Sequence, residues 1–377
     1  MQEKNIPVVL VSNTSWYLYN FRRGTIAALR EAGYRVVALA PQDDYSARLV
    51  EELGIEHMPL PMEGKSTRLL GEGKSLLALA ATLRRLKPGF VFNFTVKANI
   101  YSGLACRVLS IPYANNVSGL GTAFLHDSWL FRRVRGLYGL ANRGAQRVFF
   151  QNQEDHDLFQ HHGLLRDTPT TVLPGSGMNT ERFTYSTLPP PAPFTFVMIA
   201  RLLGDKGVRE YVAAAAKLRE HYPEVVCRLV GDTDENPDSI SQQELDEWVA
   251  SDTLEVLGKL ADVRPAIADA SVYVLPSYRE GTPRTVLEAM AMGRPIITTD
   301  APGCRETVVE GDNGYLVPVK NVDALCQAMR RFIEEPKLAA TMGARSRAIA
   351  EEKYDVHRVN AVMLEAMNIY RVETAAE

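Results

Sequence analysis

The chain has 377 residues, of which 46% are hydrophobic and 23% charged, and its formal net charge is −3. This composition is that of an ordinary globular protein, and the length exceeds what one hydrophobic core usually organises, so two domains are expected. No apolar run approaches the roughly 20 residues that cross a bilayer, and the start of the chain lacks the pattern of a signal peptide. Cys106, Cys227, Cys304 and Cys326 are too scattered for a zinc site or a disulfide framework. We therefore predict a cytoplasmic protein with free thiols.

Charge is divided unevenly along the chain. Residues 1–180 carry 20 Lys and Arg against 14 Asp and Glu, whereas the remainder carries 22 against 31. A basic N-terminal half suits an anionic partner such as a phospholipid surface or a lipid diphosphate, although an asymmetry of this size also arises by chance. A nucleic acid partner is not predicted.

Short β-branched runs alternate with helical patterns, which is typical of parallel sheets covered by helices. The predicted strands are Pro7–Val11, Arg35–Ala40, Phe90–Phe94, Tyr113–Val117 and Arg147–Gln151, then Phe194–Ile199, Val226–Val230, Leu254–Leu257, Val272–Leu275 and Pro295–Thr298. The proline-rich stretch 184–193 separates the two sets and is predicted to be a stiff linker. The expected fold is α/β, with two doubly wound Rossmann-like domains, 1–183 and 184–356, facing each other across a cleft.

The segment after the strand ending at Ile199 reads ARLLGDKG and precedes a helical pattern. In doubly wound sheets, ligands bind beyond the carboxyl ends of the strands. Arg201 and Lys206 are expected there beside the positive end of a helix, where glycines let backbone amides approach an anion closely. The segment predicts a diphosphate site, and a solvated basic turn is the alternative.

The segment after the strand VYVLP reads SYREGTP and precedes the helical pattern RTVLEAMAMG. Thr282 is predicted as the N-cap of this helix and Pro283 as its first residue, so that the first-turn amides point at a ligand. Glu280 lies just before the helix and Glu288 about a turn and a half inside it. One carboxylate is therefore expected to face a sugar and the other a ribose.

The pattern P-S-x-x-E-G-x-P-x-x-x-L-E-A-M-A-x-G-x-P, with VLPGSGMNTERF near the domain junction, resembles that of the family 4 glycosyltransferases, retaining enzymes of the glycosyltransferase B (GT-B) fold. The resemblance covers essentially the whole chain. It implies that Arg201 and Lys206 hold the diphosphate of a nucleotide-sugar donor, that Glu280 binds hydroxyls of the transferred sugar, and that Glu288 binds the ribose. Further donor contacts are implied for Leu260 at the base, and for Gly281, Thr282 and Pro283. The family also implies that a last helix at about 357–377 crosses back onto the N-terminal domain.

Stretches in the N-terminal half are similar to bacterial transferases that act on polyprenyl-diphosphate-linked sugars, particularly those that add N-acetylgalactosamine to linked bacillosamine. The stretches of the N-terminal half are YNFR at 19–22, APQD at 40–43 and SGLG at 118–121. A further similar stretch, DENP at 234–237, lies in the C-terminal half. The similarity implies a UDP-sugar donor, a polyprenyl-diphosphate-linked acceptor and a peripheral location on the inner face of the cell membrane.

The acceptor is expected to contact residues that follow strands of the N-terminal half. Lys97 and Asn99 come after the strand VFNF, where a lysine suits a diphosphate, although a lysine on a loop rim is the alternative. Ser118 stands where many family members have a histidine near the anomeric centre, and Gly119 follows it. The segment 129–138, WLFRRVRGLY, mixes bulky apolar and basic residues and is predicted either to dock on a membrane or to pack its aromatic residues in the core.

Carboxylates at 232–235 suggest a metal site, but a solvated turn or an acceptor contact is preferred, and no metal or other cofactor is expected. Because no carboxylate is placed as a nucleophile, a front-face reaction that yields an alpha linkage is favoured. A sugar-nucleotide 2-epimerase of the same architecture is the main alternative. A nicotinamide-dependent oxidoreductase lacks support because no G-x-G-x-x-G follows the first strand, and retention of the four charged donor residues argues against an inactive binding partner.

Overall fold

The computed structural model describes residues 6–61, 69–120, 129–233, 236 and 238–366. The chain forms two compact units: unit 1 comprises Met1–Gly177 and Val356–Glu377, and unit 2 comprises Met178–Asp355. The boundaries therefore fall after residues 177 and 355, whereas the sequence suggested 183 and 356.

The described strands of unit 1 form one parallel sheet in the order β3-β2-β1-β4-β5-β6-β7. Its strands are β1 (Val8–Val11), β2 (Val36–Ala40), β3 (Glu56–Pro59), β4 (Phe90–Phe94), β5 (Tyr113–Val117), β6 (Arg147–Phe150) and β7 (Thr170–Val172). The central strands are buried along their whole length because helices cover both faces.

Helices of unit 1 lie between these strands. They are α1 (Ser15–Phe21), α2 (Arg23–Glu31), α3 (Ser46–Glu51), α4 (Leu69–Leu86), α5 (Val96–Leu109), α6 (Trp129–Asn142) and α7 (Gln153–His161), with α14 (Val356–Ala366) from the end of the chain. Helix α14 packs on α2, where Thr25 donates a hydrogen bond of 2.9 Å to Asn360. The end of the chain thus completes the core of unit 1.

Unit 2 repeats the same strand order in its own parallel sheet, β10-β9-β8-β11-β12-β13. Its strands are β8 (Thr195–Ile199), β9 (Val226–Val230), β10 (Glu255–Gly258), β11 (Val272–Leu275), β12 (Ile296–Thr299) and β13 (Gly314–Val317). Its helices are α8 (Val208–Arg219), α9 (Gln242–Ala250), α10 (Arg264–Ala268), α11 (Arg284–Ala291), α12 (Val322–Glu334) and α13 (Lys337–Lys353).

Both sheets have the doubly wound order in which the direction of winding reverses next to the first strand. The reversal lies between β1 and β4 in unit 1 and between β8 and β11 in unit 2. Each predicted strand is present with ends within one residue, so the prediction of two doubly wound Rossmann-like domains is confirmed. The strands β3, β7 and β13 were not predicted, and each lies at the edge of its sheet.

The proline-rich stretch 184–193, predicted as a stiff linker between the two sets of strands, lies inside unit 2. Arg294 holds the start of this stretch in unit 2. Its fully buried guanidinium donates to the carbonyl oxygens of Ser186 (3.0 Å) and Thr187 (3.2 Å). Nearer the boundary, the Met178 amide donates to the Tyr354 carbonyl at 2.6 Å. These bonds fasten the stretch to unit 2.

Candidate functional site

The two segments with predicted chemistry in unit 2 follow neighbouring strands at the winding reversal. Strands β8 and β11 pair directly, with Phe196 opposite Val272. Loops that leave adjacent parallel strands at this point diverge to opposite faces and open a crevice for a ligand. The structure therefore brings Lys206 and Glu280 to the position in the fold where a ligand is expected.

A glycine makes the close approach of the two loops possible. The β8 loop forms a 3-10 turn, Gly204–Lys206, and then Gly207 adopts φ +74°. A Cβ atom at Gly207 would lie 2.1 Å from the carbonyl oxygen of Pro276, which a side chain cannot tolerate. The Tyr278 amide also donates 2.8 Å to the Asp205 carbonyl, so the two loops form one unit.

The centre of the site is an ion pair between the two loops. Lys206 Nζ lies 2.6 Å from Glu280 Oε1, and the two side chains are only 13% and 18% exposed. The Ser277 hydroxyl donates to the same carboxylate oxygen at 2.9 Å. Shielding from water strengthens these charge-assisted bonds. The ammonium and the carboxylate are thus held in fixed positions before any ligand arrives.

The backbone of Glu280 is fixed from a third direction. Its amide donates 2.9 Å to the Pro302 carbonyl, in the loop after β12. Gly303 in that loop has φ +80°, and a Cβ atom there would lie 2.3 Å from the Glu280 carbonyl oxygen and 2.6 Å from that of the buried Gly281. Three loops thereby converge on Glu280.

Helix α11 begins one residue later than the sequence suggested. Pro283, with ψ 107°, is its N-cap and Arg284 its first residue, so the prediction of Thr282 as N-cap and Pro283 as first helical residue was wrong. The reason is that the Pro283 carbonyl accepts the first helical bonds, from Val286 (3.1 Å) and Leu287 (3.3 Å). Thr282 is partly buried just before the cap.

Glu288 forms an ion pair within α11 that the sequence reasoning missed. Arg284 Nε lies 3.2 Å from Glu288 Oε1, and the side chains are 17% and 12% exposed. Burial raises the pKa of Glu288 above its usual range, although Arg284 and Arg182 oppose that rise. The spacing of four residues between Arg284 and Glu288 was the available signal.

Two other predicted donor residues lie on neighbouring loops of unit 2. Arg201 is exposed, directly after β8, and Leu260 is partly buried against the core of the unit, directly after β10. A cavity of about 390 Å³ opens beside them, and its lining includes Leu202, Asp232 and Gly258. The cavity lies at the carboxyl ends of β9 and β10, on the same edge of the sheet as Lys206.

The predicted acceptor residues of unit 1 fall into two groups. Lys97, Ser118 and Gly119 are partly exposed beyond the ends of β4 and β5. Asn99 is fully buried: its amide donates to the Asn116 carbonyl (2.8 Å) and the Tyr138 hydroxyl (2.6 Å), and its carbonyl accepts from the Asn116 amide. Asn99 thus braces α5 against β5, and its contact with an acceptor stays a prediction.

Further findings concern metals and membranes. Within the described ranges, no three His, Cys, Asp or Glu side chains cluster as they would around a metal ion. The carboxylates of Asp234 and Glu235 lie outside the described residues, as does Pro237. No helix in the described part of the chain has the length and apolar character needed to span a bilayer.

Each unit has a Rossmann-like sheet, and unit 2 holds a half-buried Lys–Glu pair between the loops at its winding reversal, where proteins of this fold bind their ligands. Known family models match both units: the glycosyl transferase 4-like domain matches residues 21–175 and the glycosyl transferases group 1 domain matches residues 193–335. The chain therefore belongs to the family 4 glycosyltransferases of the GT-B fold, and it is an enzyme of that class.

Relatives with assigned reactions are similar over much of the chain. The N,N'-diacetylbacillosaminyl-diphospho-undecaprenol alpha-1,3-N-acetylgalactosaminyltransferase of Campylobacter jejuni is 28% identical over 92% of this chain and 94% of its own. The UDP-Gal:alpha-D-GlcNAc-diphosphoundecaprenol alpha-1,3-galactosyltransferase of Escherichia coli is 24% identical over 74% of this chain and 75% of its own. The Anabaena protein HepE, solved with UDP and glucose, has a TM-score of 0.80 at 21% identity, covering 97% of this chain and 100% of its own.

Proposed function

We propose that the chain is a retaining glycosyltransferase that moves an N-acetylhexosamine, with N-acetylgalactosamine favoured, from a UDP-sugar to an undecaprenyl-diphosphate-linked saccharide. The observation that carries the proposal is the half-buried Lys206–Glu280 pair at the winding reversal of unit 2, with Glu288 further along α11. The Campylobacter and Escherichia relatives, both named for alpha-1,3 transfer to a diphosphoundecaprenol-linked sugar, support the acceptor class.

Each part of the UDP-sugar has a matching partner in unit 2. Lys206 and the exposed Arg201 would neutralise the diphosphate, together with the first-turn amides of α11. Glu280 would accept hydrogen bonds from hydroxyls of the sugar, and Glu288 from those of the ribose. The cavity of about 390 Å³ near Leu260 would hold the base.

The reaction follows from where charge develops. The bond between C1 of the sugar and the diphosphate oxygen breaks, and its electron pair leaves with UDP. Lys206 and Arg201 stabilise that negative charge, which is the kind of contribution worth about 10²-fold or more in rate. The acceptor hydroxyl attacks C1 from the same face and transfers its proton to the departing phosphate oxygen. An alpha-linked donor therefore gives an alpha-linked product.

We assign charge neutralisation to protein groups alone, without a metal ion or other cofactor. The Lys206 ammonium is already held by Glu280, whose carboxylate accepts a hydrogen bond from Ser277, so it needs little reorganisation when the diphosphate arrives. Glu280 would bind the sugar and Lys206 the leaving group. Their ion pair therefore couples the position of the sugar to the position of the leaving group.

Unit 1 would bind the acceptor at the cytoplasmic face of the membrane. Lys97, Ser118 and Gly119 lie beyond the strand ends and would contact the linked saccharide or its diphosphate. Helix α6 exposes Arg132 and Leu137 while burying Tyr138, an arrangement that suits contact with anionic headgroups. Peripheral attachment through unit 1 would keep the lipid-linked substrate within reach.

The proposal is tested on the product itself. Incubation of the purified chain with UDP-N-acetylgalactosamine and an undecaprenyl-diphosphate-linked N-acetylated monosaccharide should give a lipid heavier by one N-acetylhexosamine, with an alpha anomeric proton in its NMR spectrum. A beta product would contradict the front-face reaction. A UDP-sugar altered at C2 while the lipid stays unchanged would identify an epimerase instead.

Donor binding should depend on pH through Glu288. The carboxylate of Glu288 accepts the ribose hydrogen bonds. Because its pKa is raised, acidification already protonates it at a pH above 4.5, the ordinary pKa of a glutamate. The affinity for a UDP-sugar should therefore fall as the pH drops through the folded pKa. A UDP-sugar is the right probe because its diphosphate is doubly esterified and does not titrate in this range.

Calorimetry with wild type and Glu288→Gln checks this expectation. The variant should bind about tenfold more weakly at neutral pH, because a hydrogen bond to a charged group is lost, and its affinity should not vary with pH. Exposed Glu255, which pairs with Arg228 on the same unit, provides the control Glu255→Gln. An equal pH dependence in wild type and Glu288→Gln would exclude Glu288 from the ribose site.

A further inference from the structure

A second cluster of polar groups lies at the winding reversal of unit 1, between β1 and β4. Ser12 follows β1, Phe94 ends β4 and Asn116 lies near the end of β5; register places them level with one another on adjacent strands. Arg22, between α1 and α2, lies over them: its guanidinium carbon is 4.3 Å from the centre of the Phe94 ring.

Arg22 is fully buried, and among the described residues no carboxylate pairs with it. Its Nη2 donates to the Tyr17 hydroxyl (2.9 Å) and to Asn116 Oδ1 (3.3 Å), whereas Nε and Nη1 have no hydrogen-bond partner. None of its contacts in the described part of the chain is with a carboxylate. A buried guanidinium that has neither a counter-charge nor hydrogen-bond acceptors for its N–H groups is costly, so natural proteins rarely keep one unless a ligand supplies them.

The neighbouring unsatisfied groups are donors as well. Asn116 Nδ2 and Ser12 Oγ are buried and have no partner. Together with Arg22 Nε and Nη1 they present N–H and O–H groups, so the ligand that satisfies them must supply several acceptor oxygens and negative charge. An oxyanion of the phosphate type has both properties.

Backbone strain supports a ligand site at the same place. Thr95, directly after Phe94, has φ +77° and ψ 156°, a strained conformation that is essentially restricted to glycine. Strain of this kind is concentrated at binding sites. Thr95 and Ser118, the residues just beyond β4 and β5, are partly exposed, so the cluster lies directly beneath the surface at the strand ends.

We propose that Arg22, Asn116 and Ser12 form an oxyanion site of unit 1 that takes a phosphate group of the acceptor's lipid diphosphate. The assignment to the acceptor rests on the function proposed above, whereas the oxyanion site itself does not. Its residues belong to unit 1 and to the winding reversal of that unit, whereas Lys206 belongs to unit 2. Anion binding supplies the missing counter-charge of Arg22.

Two variants test the site in opposite ways. Arg22→Gln removes the charge and should weaken anion binding about tenfold or more. Asn116→Asp supplies a carboxylate to Arg22 from within the protein, so it should keep or raise the melting temperature and still weaken anion binding by at least as much. Arg30→Gln is the matched control, because Arg30 is an exposed arginine of unit 1 that donates to the Leu53 carbonyl.

The measurement is calorimetric titration of inorganic pyrophosphate into the full chain, in metal-free buffer with saturating UDP to fill the Lys206 site. Wild type and Arg30→Gln should bind with the same affinity, and Arg22→Gln and Asn116→Asp should bind about tenfold or more weakly. Pyrophosphate binding that disappears in wild type when UDP is added, or that persists unchanged in Asn116→Asp, would overturn the site. If Arg22→Gln fails to fold, Asn116→Asp still decides the question.

A second titration identifies the source of the phosphate. Farnesyl diphosphate, a short lipid diphosphate, should displace pyrophosphate from the UDP-saturated protein, and failure to displace it would overturn the assignment to the lipid acceptor. Neither titration requires turnover, so both keep their meaning if sugar transfer is not found. Conversely, transfer activity unaffected by Asn116→Asp would overturn the role in acceptor binding and leave the proposed function standing.

Discussion

Lys206→Ala should lower turnover about 10²-fold or more, because it removes a positive charge from the point where the leaving diphosphate becomes negative. The Lys206 ammonium lies 2.6 Å from Glu280 and only 13% of its side chain is exposed, so solvent cations replace it poorly. The measurement is the rate of UDP release at saturating donor and acceptor. Lys217→Ala is the control, since Lys217 is an exposed lysine of unit 2 that pairs with Asp323.

The partner variant Glu280→Gln separates the two roles within the pair. Lys206→Ala should weaken binding of UDP itself, whereas Glu280→Gln should leave UDP affinity nearly unchanged and remove the preference for the UDP-sugar over UDP. Near-normal turnover in Lys206→Ala, with an unchanged melting temperature, would contradict the diphosphate assignment. Equal losses of UDP affinity in both variants would show that the pair acts only to hold the two loops together.

Arg294→Met should lower the free energy of unfolding of unit 2 by about 3–5 kcal/mol, since several buried carbonyl groups lose their donor. Besides Ser186 and Thr187, the guanidinium donates to the carbonyls of Ile267 (2.9 Å) and Ala268 (3.0 Å), which end α10. Burial lowers the pKa of Arg294 to about 10, so the group remains protonated at neutral pH.

Urea unfolding, with hydrogen exchange of residues 184–190 and 264–270, measures this loss. Arg294→Lys should fall between wild type and Arg294→Met, because an ammonium keeps the charge but makes fewer bonds. Arg345→Met, which removes an exposed arginine paired with Asp312, should leave the unfolding curve unchanged. Unaltered exchange in 184–190 of Arg294→Met would show that Arg294 does not fasten this stretch.

The interior of each sheet could be predicted from the sequence, whereas three of the four edge strands, β3, β7 and β13, could not. A central parallel strand is buried on both faces and is therefore a continuous apolar run, as in β1 and β8. An edge strand lacks that signature. Glu56 and Pro59 at the two ends of β3 are exposed, and β7 has two half-buried threonines and an exposed valine.

The residues of the site that belong to a sequence motif could be predicted. The contacts that these residues make with one another could not, because those contacts depend on the fold. Lys206 and Glu280 were expected to bind a donor, yet their contact with each other depends on β8 and β11 being neighbours, which the sequence order does not state. Arg22 belongs to the stretch YNFR at 19–22, for which the sequence offered only a similarity to transferases that act on polyprenyl-diphosphate-linked sugars. That its Nε and Nη1 find no hydrogen-bond partner among the described residues is a property of the packed structure, so no pattern in the sequence could indicate it.

UDP release from a panel of UDP-sugars, measured with and without an undecaprenyl-diphosphate-linked monosaccharide, tests the central claim most directly. We expect release that requires the lipid-linked acceptor and is fastest with UDP-N-acetylgalactosamine among the donors. Donor conversion that proceeds equally well without any lipid, or release that is indifferent to the acceptor, would contradict it.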